Sequence, residues 1–274
     1  MAILDCSDGN TAINSLAKIY NVSNNDIMNF LFTKIHEVVS YPQKYDEIYD
    51  INELHSYLFG KSCSGLNIQS IIVFHLTTDF VKESIEANGL INLYDIGKSD
   101  NFLRNYLANH DVNIESNKGQ IEISYQNRPI KCDNSLYNRR LRKDHCINGF
   151  LYNNEIEEDS NVKHLIECPE IVQNISECVK CVDLKRDWKG NPIIVKFKVG
   201  LRHLNIRDTG NWSMETEKEL EEHLILNTLN YILNWLHNDL EHYSNKMIFL
   251  KENYSVPPED IVDFLELEKL NISS

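Results

Sequence analysis

Long hydrophobic runs are missing from this chain of 274 residues. No apolar stretch approaches the roughly 18 residues that cross a bilayer as a helix, so no membrane partner is expected. Proline and glycine are scarce, at 6 and 10 residues, and they form no fibrous or low-complexity pattern. Positive charge is also in short supply: 27 Lys and Arg stand against 41 Asp and Glu, a net charge of −14. An evenly acidic surface repels phosphate backbones, which argues against a broad nucleic-acid-binding surface and leaves room only for a local basic site. The chain has no phosphate-cradling Gly-rich loop, no Gly-x-Ser-x-Gly elbow and no His-Glu-x-x-His pair. No fixed-period repeat occurs.

The first residues, Met-Ala-Ile-Leu-Asp-Cys-Ser-Asp, lack both a basic n-region and a long apolar h-region, so no secretory signal is read. The seven cysteines are Cys6, Cys63, Cys132, Cys146, Cys168, Cys178 and Cys181. An odd number without a signal fits a reducing, cytoplasmic compartment better than a disulfide framework, with buried thiols as the ordinary state. Against these absences, 42% hydrophobic and 25% charged residues describe a globular chain able to bury a sizeable core.

Residues 11–60 read as helical. Leu16, Ile19 and Tyr20 share one helical face, and Asn24 or Asn25 is read as the cap of a second helix carrying Ile27, Phe30, Leu31, Ile35 and Val38. Pro42 ends it. Asp50-Ile51-Asn52 opens a third helix, with Leu54, Tyr57 and Leu58 on one face. Leu16–Leu31 has a faint helix-turn-helix outline, but its positive charge is too sparse for DNA. A cluster of Gly, Ser and Cys at Gly60–Gly65 marks a change of character, giving a helical N-terminal region at 1–64 and an α+β domain at 65–274.

That domain begins with Ile71-Ile72-Val73-Phe74, an apolar run suited to a buried strand. Thr78 is read as capping the helix that follows, and Asn88-Gly89 as stopping it with a left-handed residue. Residues 95–146 read as polar and irregular, with β-like pieces at Gln120–Tyr125. Gly149–Tyr152, Ile193–Val199 and Met247–Leu250 are strand candidates, and Met214–Tyr243 is a long amphipathic helix. Pro257-Pro258-Glu259-Asp260-Ile261 opens a turn of helix.

Three constellations can carry chemistry. His75-Leu76-Thr77 closes the buried strand, where an imidazole can hydrogen-bond a ligand hydroxyl or exchange a proton near neutral pH, and Thr77 shares its strand face. Arg139-Arg140-Leu141-Arg142-Lys143-Asp144-His145 is the densest basic run of an acidic chain, and guanidinium groups grip phosphates through paired hydrogen bonds. His164, Cys168, Cys178 and Cys181 supply the ligand types of a tetrahedral zinc site. Asp183 or Asp187 ahead of the Val195–Lys198 strand outlines a metal-dependent nuclease, but Lys196 stands where a second carboxylate is needed.

The order strand, His75-x-Thr77, short helix, Ile85-(x)3-Gly89-Leu90 resembles the first motif of the ADP-ribosyltransferase superfamily. Gly149-Phe150-Leu151-Tyr152 is similar to its second region, and Met247–Leu250 followed by Pro258-Glu259-Asp260-Ile261 to its late strands. The resemblance covers roughly residues 70–268. It implies small mixed β-sheets and NAD as substrate. His75 and Thr77 would hold the nicotinamide ribose, Tyr152 would pack on nicotinamide, and Arg139, Arg140 or Arg142 would face the pyrophosphate.

The family's catalytic Glu sits just ahead of a late strand. Here Ser244-Asn245-Lys246 precedes Met247, leaving Glu241, or Glu221 among Glu215, Glu217 and Glu222 on the long helix, as candidates. The implied activity is ADP-ribosyl transfer to a protein or nucleic-acid acceptor, of the kind found in toxins and defence effectors. The alternative is a non-enzymatic interaction protein, with the cysteines as scaffolding, zinc-bound or not.

Overall fold

The computed structural model describes residues 2–39, 48, 50–58, 68–118, 120–130, 145–154, 156, 168–205, 216–237 and 245–267. Pro42, the Gly60–Gly65 break and Arg139–Asp144 of the basic run lie outside them. In chain order the first elements are β1 (Ala2–Leu4), α1 (Gly9–Tyr20), α2 (Asn24–Val39), α3 (Ile51–Leu58) and β2 (Ile68–Thr78). Then come α4 (Lys82–Asn88), α5 (Leu93–Ile96), α6 (Phe102–Ala108), β3 (Val112–Asn117), β4 (Gln120–Tyr125), β5 (Arg128–Pro129) and β6 (Asn148–Phe150). The last are α7 (Glu170–Val179), α8 (Asp183–Arg186), β7 (Pro192–Gly200), α9 (Glu217–His237), β8 (Met247–Phe249) and β9 (Ile261–Glu266). The chain is thus mixed α+β. One sheet has the strand order β8-β6-β2-β7-β9 with β1 also on β2, and β3-β4-β5 form a second sheet.

The chain divides into two compact units, both discontinuous in sequence. The first comprises Met1–Val73, Phe150–Glu155 and Val199–Ile248, and the second Phe74–Gly149, Ile156–Lys198 and Phe249–Ser274. The expected boundary after residue 64 falls inside the first.

In the first unit, α1 is stopped by Asn21 at φ 52°, with Val22 N donating to Ala17 O and Asn21 N to Lys18 O, a Schellman ending with Asn in glycine's usual place. The cap of α2 is Ser23, not Asn24 or Asn25. Ser23 Oγ accepts from Asp26 N while Asp26 Oδ2 accepts from Ser23 N, so two backbone donors at the helix start are satisfied reciprocally. Helix α9 buries Leu220, Leu224, Leu229, Ile232 and Leu233 as its periodicity predicts, and also Asn227, Thr228 and Asn230. The polar three are satisfied: Asn227 Nδ2 donates to His223 O, Thr228 Oγ1 donates to Leu224 O, and Asn230 accepts from Ile48 N and donates to Ile48 O. Helices α1 and α9 approach so closely at Gly9 that a β-carbon there would fall 2.1 Å from the Trp235 ring.

Among the described residues of 95–146, the second unit bears out the β-like piece at Gln120–Tyr125 and corrects the reading of the rest as irregular. Asn101 caps α6 through Arg104 N, and α6 buries Tyr106 and Leu107. Val112 and Ile114 of β3 alternate inward, and Ile121 and Ile123 of β4 answer them. Gln126 and Asn127, both at positive φ, turn β4 into β5 as a two-residue hairpin of the twist that antiparallel strands favour. Their core includes the mutually packed rings of Phe80, Phe102, Tyr106 and Trp188, with Tyr106 and Trp188 centroids 4.9 Å apart at 82°.

Thr78 is fully buried, and its side chain makes no cap bond to the turn Asp79–Val81 that it precedes. Its hydroxyl instead accepts from Trp188 Nε1 at 3.0 Å, the bond that satisfies the buried indole donor. Gly89 does end α4, at φ 75°, and a β-carbon there would lie 1.9 Å from Val256 O, the carbonyl bonded by Leu90 N.

Thr78→Val keeps the volume but leaves the Trp188 N–H buried and unpaired. Its urea midpoint should fall by the equivalent of about 1–3 kcal/mol at unchanged m-value, with Thr78→Ser recovering most of the loss.

Candidate functional site

β2 reads as a continuous apolar run because Ile71, Ile72, Val73 and Phe74 are all buried, with no exposed face to demand alternation. Burial relaxes at His75 and Leu76 and returns at Thr77 and Thr78, so the histidine is a half-buried step within an otherwise buried stretch. Its Nδ1 lies 2.6 Å from Asn148 O, in the first residue of β6. A carbonyl only accepts, so Nδ1 is the protonated nitrogen and Nε2 carries the ring's acceptor lone pair in the neutral form. Thr77 is buried, at 8% exposure. His75, Thr77 and Asn148 belong to the second unit, where Leu250 N also donates to Ile147 O at 2.8 Å.

Tyr152 and Glu221 belong to the first unit. Tyr152 is 1% exposed, its ring stacked on Tyr231 at 4.4 Å and 10°. The Tyr231 hydroxyl donates to Asn154 Oδ1. Asn245, just ahead of β8 where the resemblance asks for a carboxylate, bonds the Tyr152 backbone both ways. Its Oδ1 accepts from Tyr152 N at 3.3 Å, and its Nδ2 donates to Tyr152 O at 3.0 Å. This is work for an amide, which carries donor and acceptor together; a carboxylate only accepts. Leu151 N donates to Lys246 O beside it. Asn153 Oδ1, next in the chain, is buried without a hydrogen-bond partner among the described residues. None of Asn148, Asn153 and Asn245 is distinguished in sequence from the chain's many other asparagines.

Burial pushes the Glu221 carboxyl up from its ordinary range. A backbone bond from Ile68 works against that, and the neighbouring Glu217 and Glu222 charges add to the rise. Ile68 opens β2 and His75 stands near its close, so Glu221 engages the opposite end of the strand from the histidine. Two residues further along α9, burial and then Lys246 hold the His223 ring below its usual range. Glu241, Arg139, Arg140 and Arg142 lie outside the described residues. His145, the last of that run, is buried and stacked on Tyr94 at 5.6 Å.

Of the expected zinc ligands, His164 lies outside the described residues. Cys168, Cys178 and Cys181 all pack with the second unit's aromatic core, and Cys178 is disulfide-bonded. Among the described residues no group of three or more His, Cys, Asp or Glu is placed to hold a metal. Cys6, in the first unit, is a wholly buried thiol pushed up to about 12 by that burial, which keeps it protonated and inert.

Asn245→Ala should lose both bonds to the Tyr152 backbone and lower stability by about 1–2 kcal/mol in chemical denaturation. Asn245→Asp keeps an acceptor for Tyr152 N, sets a carboxylate against Tyr152 O, and should be no more stable than the alanine variant. No family model matches the chain, and no curated protein or solved structure matches it significantly, so the site rests on its own geometry.

Proposed function

We propose that this protein binds NAD and transfers its ADP-ribosyl group to a protein or nucleic-acid acceptor. The observation that carries this reading is the order β8-β6-β2. The three segments on which the resemblance to ADP-ribosyltransferases was drawn, far apart in sequence, are successive neighbours in one sheet. The anchored His75 ring fits the role, because the bond from Nδ1 to Asn148 O fixes the orientation of the ring. The reading assigns the pyrophosphate to Arg139, Arg140 or Arg142. It assigns to Glu241 the positive charge that develops on the ribose as nicotinamide leaves, a task suited to a carboxylate. Glu221, engaged at the start of β2, is the weaker candidate.

One observation favours a second reading, NAD binding or partner binding without transfer: the residue ahead of β8 is Asn245, whose side chain is occupied with the Tyr152 backbone.

Titration calorimetry with NAD and a nicotinamide-release assay separate the two. Transfer predicts both binding and release, with His75→Ala weakening NAD binding by about tenfold, the worth of one lost neutral hydrogen bond. Binding without release selects the non-transferring reading, and no binding by the unaltered protein rules out NAD in either. Metal analysis of the purified protein separately tests the zinc-stabilised scaffold, which requires stoichiometric zinc.

A further inference from the structure

His110, in the turn that follows α6, has both ring nitrogens against oxygens. Nδ1 lies 3.0 Å from Tyr106 O, and Nε2 lies 3.3 Å from Asp187 Oδ2, at the C-terminal cap of α8. Neither a carbonyl nor a carboxylate has a proton to offer, so both contacts are hydrogen bonds only when the ring carries two N–H groups. The side chain is 15% exposed and packs against the Tyr106 ring at 4.9 Å. Tyr106 in turn packs on Trp188 and donates its hydroxyl to Leu184 O at 2.7 Å.

We propose that His110 and Asp187 form a pH-sensitive latch that ties the end of α6 to the end of α8 over the aromatic core of the second unit. The closed form needs imidazolium and carboxylate together. When the ring gives up one proton, a lone pair faces one of the two oxygens and that contact turns repulsive. The latch therefore contributes stability in mildly acidic solution and loses it towards alkaline pH.

Its other limit is set by Asp187. The hydrogen bond from His110, and then that from Arg186 Nε at 3.2 Å, hold this carboxyl below its ordinary range. Its contribution is present above the unfolded carboxylate range and disappears only as pH falls through that lowered value.

The neighbouring charges do not replace the pair. Arg186 is shared between Asp187 and Asp183, which it meets at 2.8 Å. Tyr106 is pushed up by burial first and then by the Asp187, Cys168 and Cys181 charges, and so stays neutral. Tyr125 of β4 is likewise pushed up, by desolvation first and then by Cys181, Asp111 and Asp183, and stays neutral.

Amide hydrogen exchange of the full chain at about pH 6 and about pH 8, corrected for intrinsic rates, tests the latch. The opening constant of the amides from Asn109 to Val112 should rise about three- to tenfold at the higher pH, the range for one charge-assisted bond at a half-exposed site. Asp187→Asn, at a side chain 45% exposed, should abolish that rise, and His110→Phe should do the same while keeping the packing on Tyr106. An opening constant equal at both pH values in the unaltered protein, or a rise that survives in Asp187→Asn, would overturn the latch.

Discussion

A strand buried on both faces has no water to satisfy its backbone, and β2 is such a strand from Ile71 to Phe74. Its amides and carbonyls must be met by other strands along both edges. They are: β6 lies on one side and β7 on the other, with β1 adding Leu4 opposite Ile71 in parallel register. The apolar run is therefore more than core filling, because it obliges segments distant in sequence to become neighbours. Histidine and threonine at its close inherit a fixed position from that obligation, and His75 adds its own tie to Asn148 O.

Each unit pairs some of the polar groups it buries in its own way. In the first, the long helix carries Thr228 and Asn230 into the interior, where one hydroxyl returns to its own helix and one amide closes a two-way bond with Ile48. In the second, Thr78 and Trp188 pair hydroxyl with indole inside a cluster of aromatic rings. Such pairs add modest net stability when made and cost more when broken, so they specify one arrangement more than they deepen it.

Much of the fold was legible where pattern and burial coincide. The apolar run of β2, the stop at Gly89, the alternation of β7 and the periodicity of α9 all follow from residue spacing. Of the meander β3-β4-β5, β4 was legible at Gln120–Tyr125, while β3 was missed because only two inward residues, Val112 and Ile114, stand among Asn113, Glu115 and other polar side chains. The caps were misread for a related reason. Ser23, Asn24 and Asn25 are all competent caps, and only the reciprocal bond with Asp26 selects the serine; Thr78 has the right type for a cap but a buried indole claims its hydroxyl.

By itself, the sequence determined the chemistry on hand: an acidic chain, a strand-end histidine with a nearby threonine, and no carboxylate immediately ahead of the late strand. Those are properties of residue type and order. Tertiary structure decided what each group does, because hydrogen bonds between residues distant in the chain depend on positions that spacing does not encode. It set the His75 tautomer through Asn148, turned Asn245 to the Tyr152 backbone, drew Glu221 to the opening of β2, and put Asp187 against a histidine that no motif had singled out.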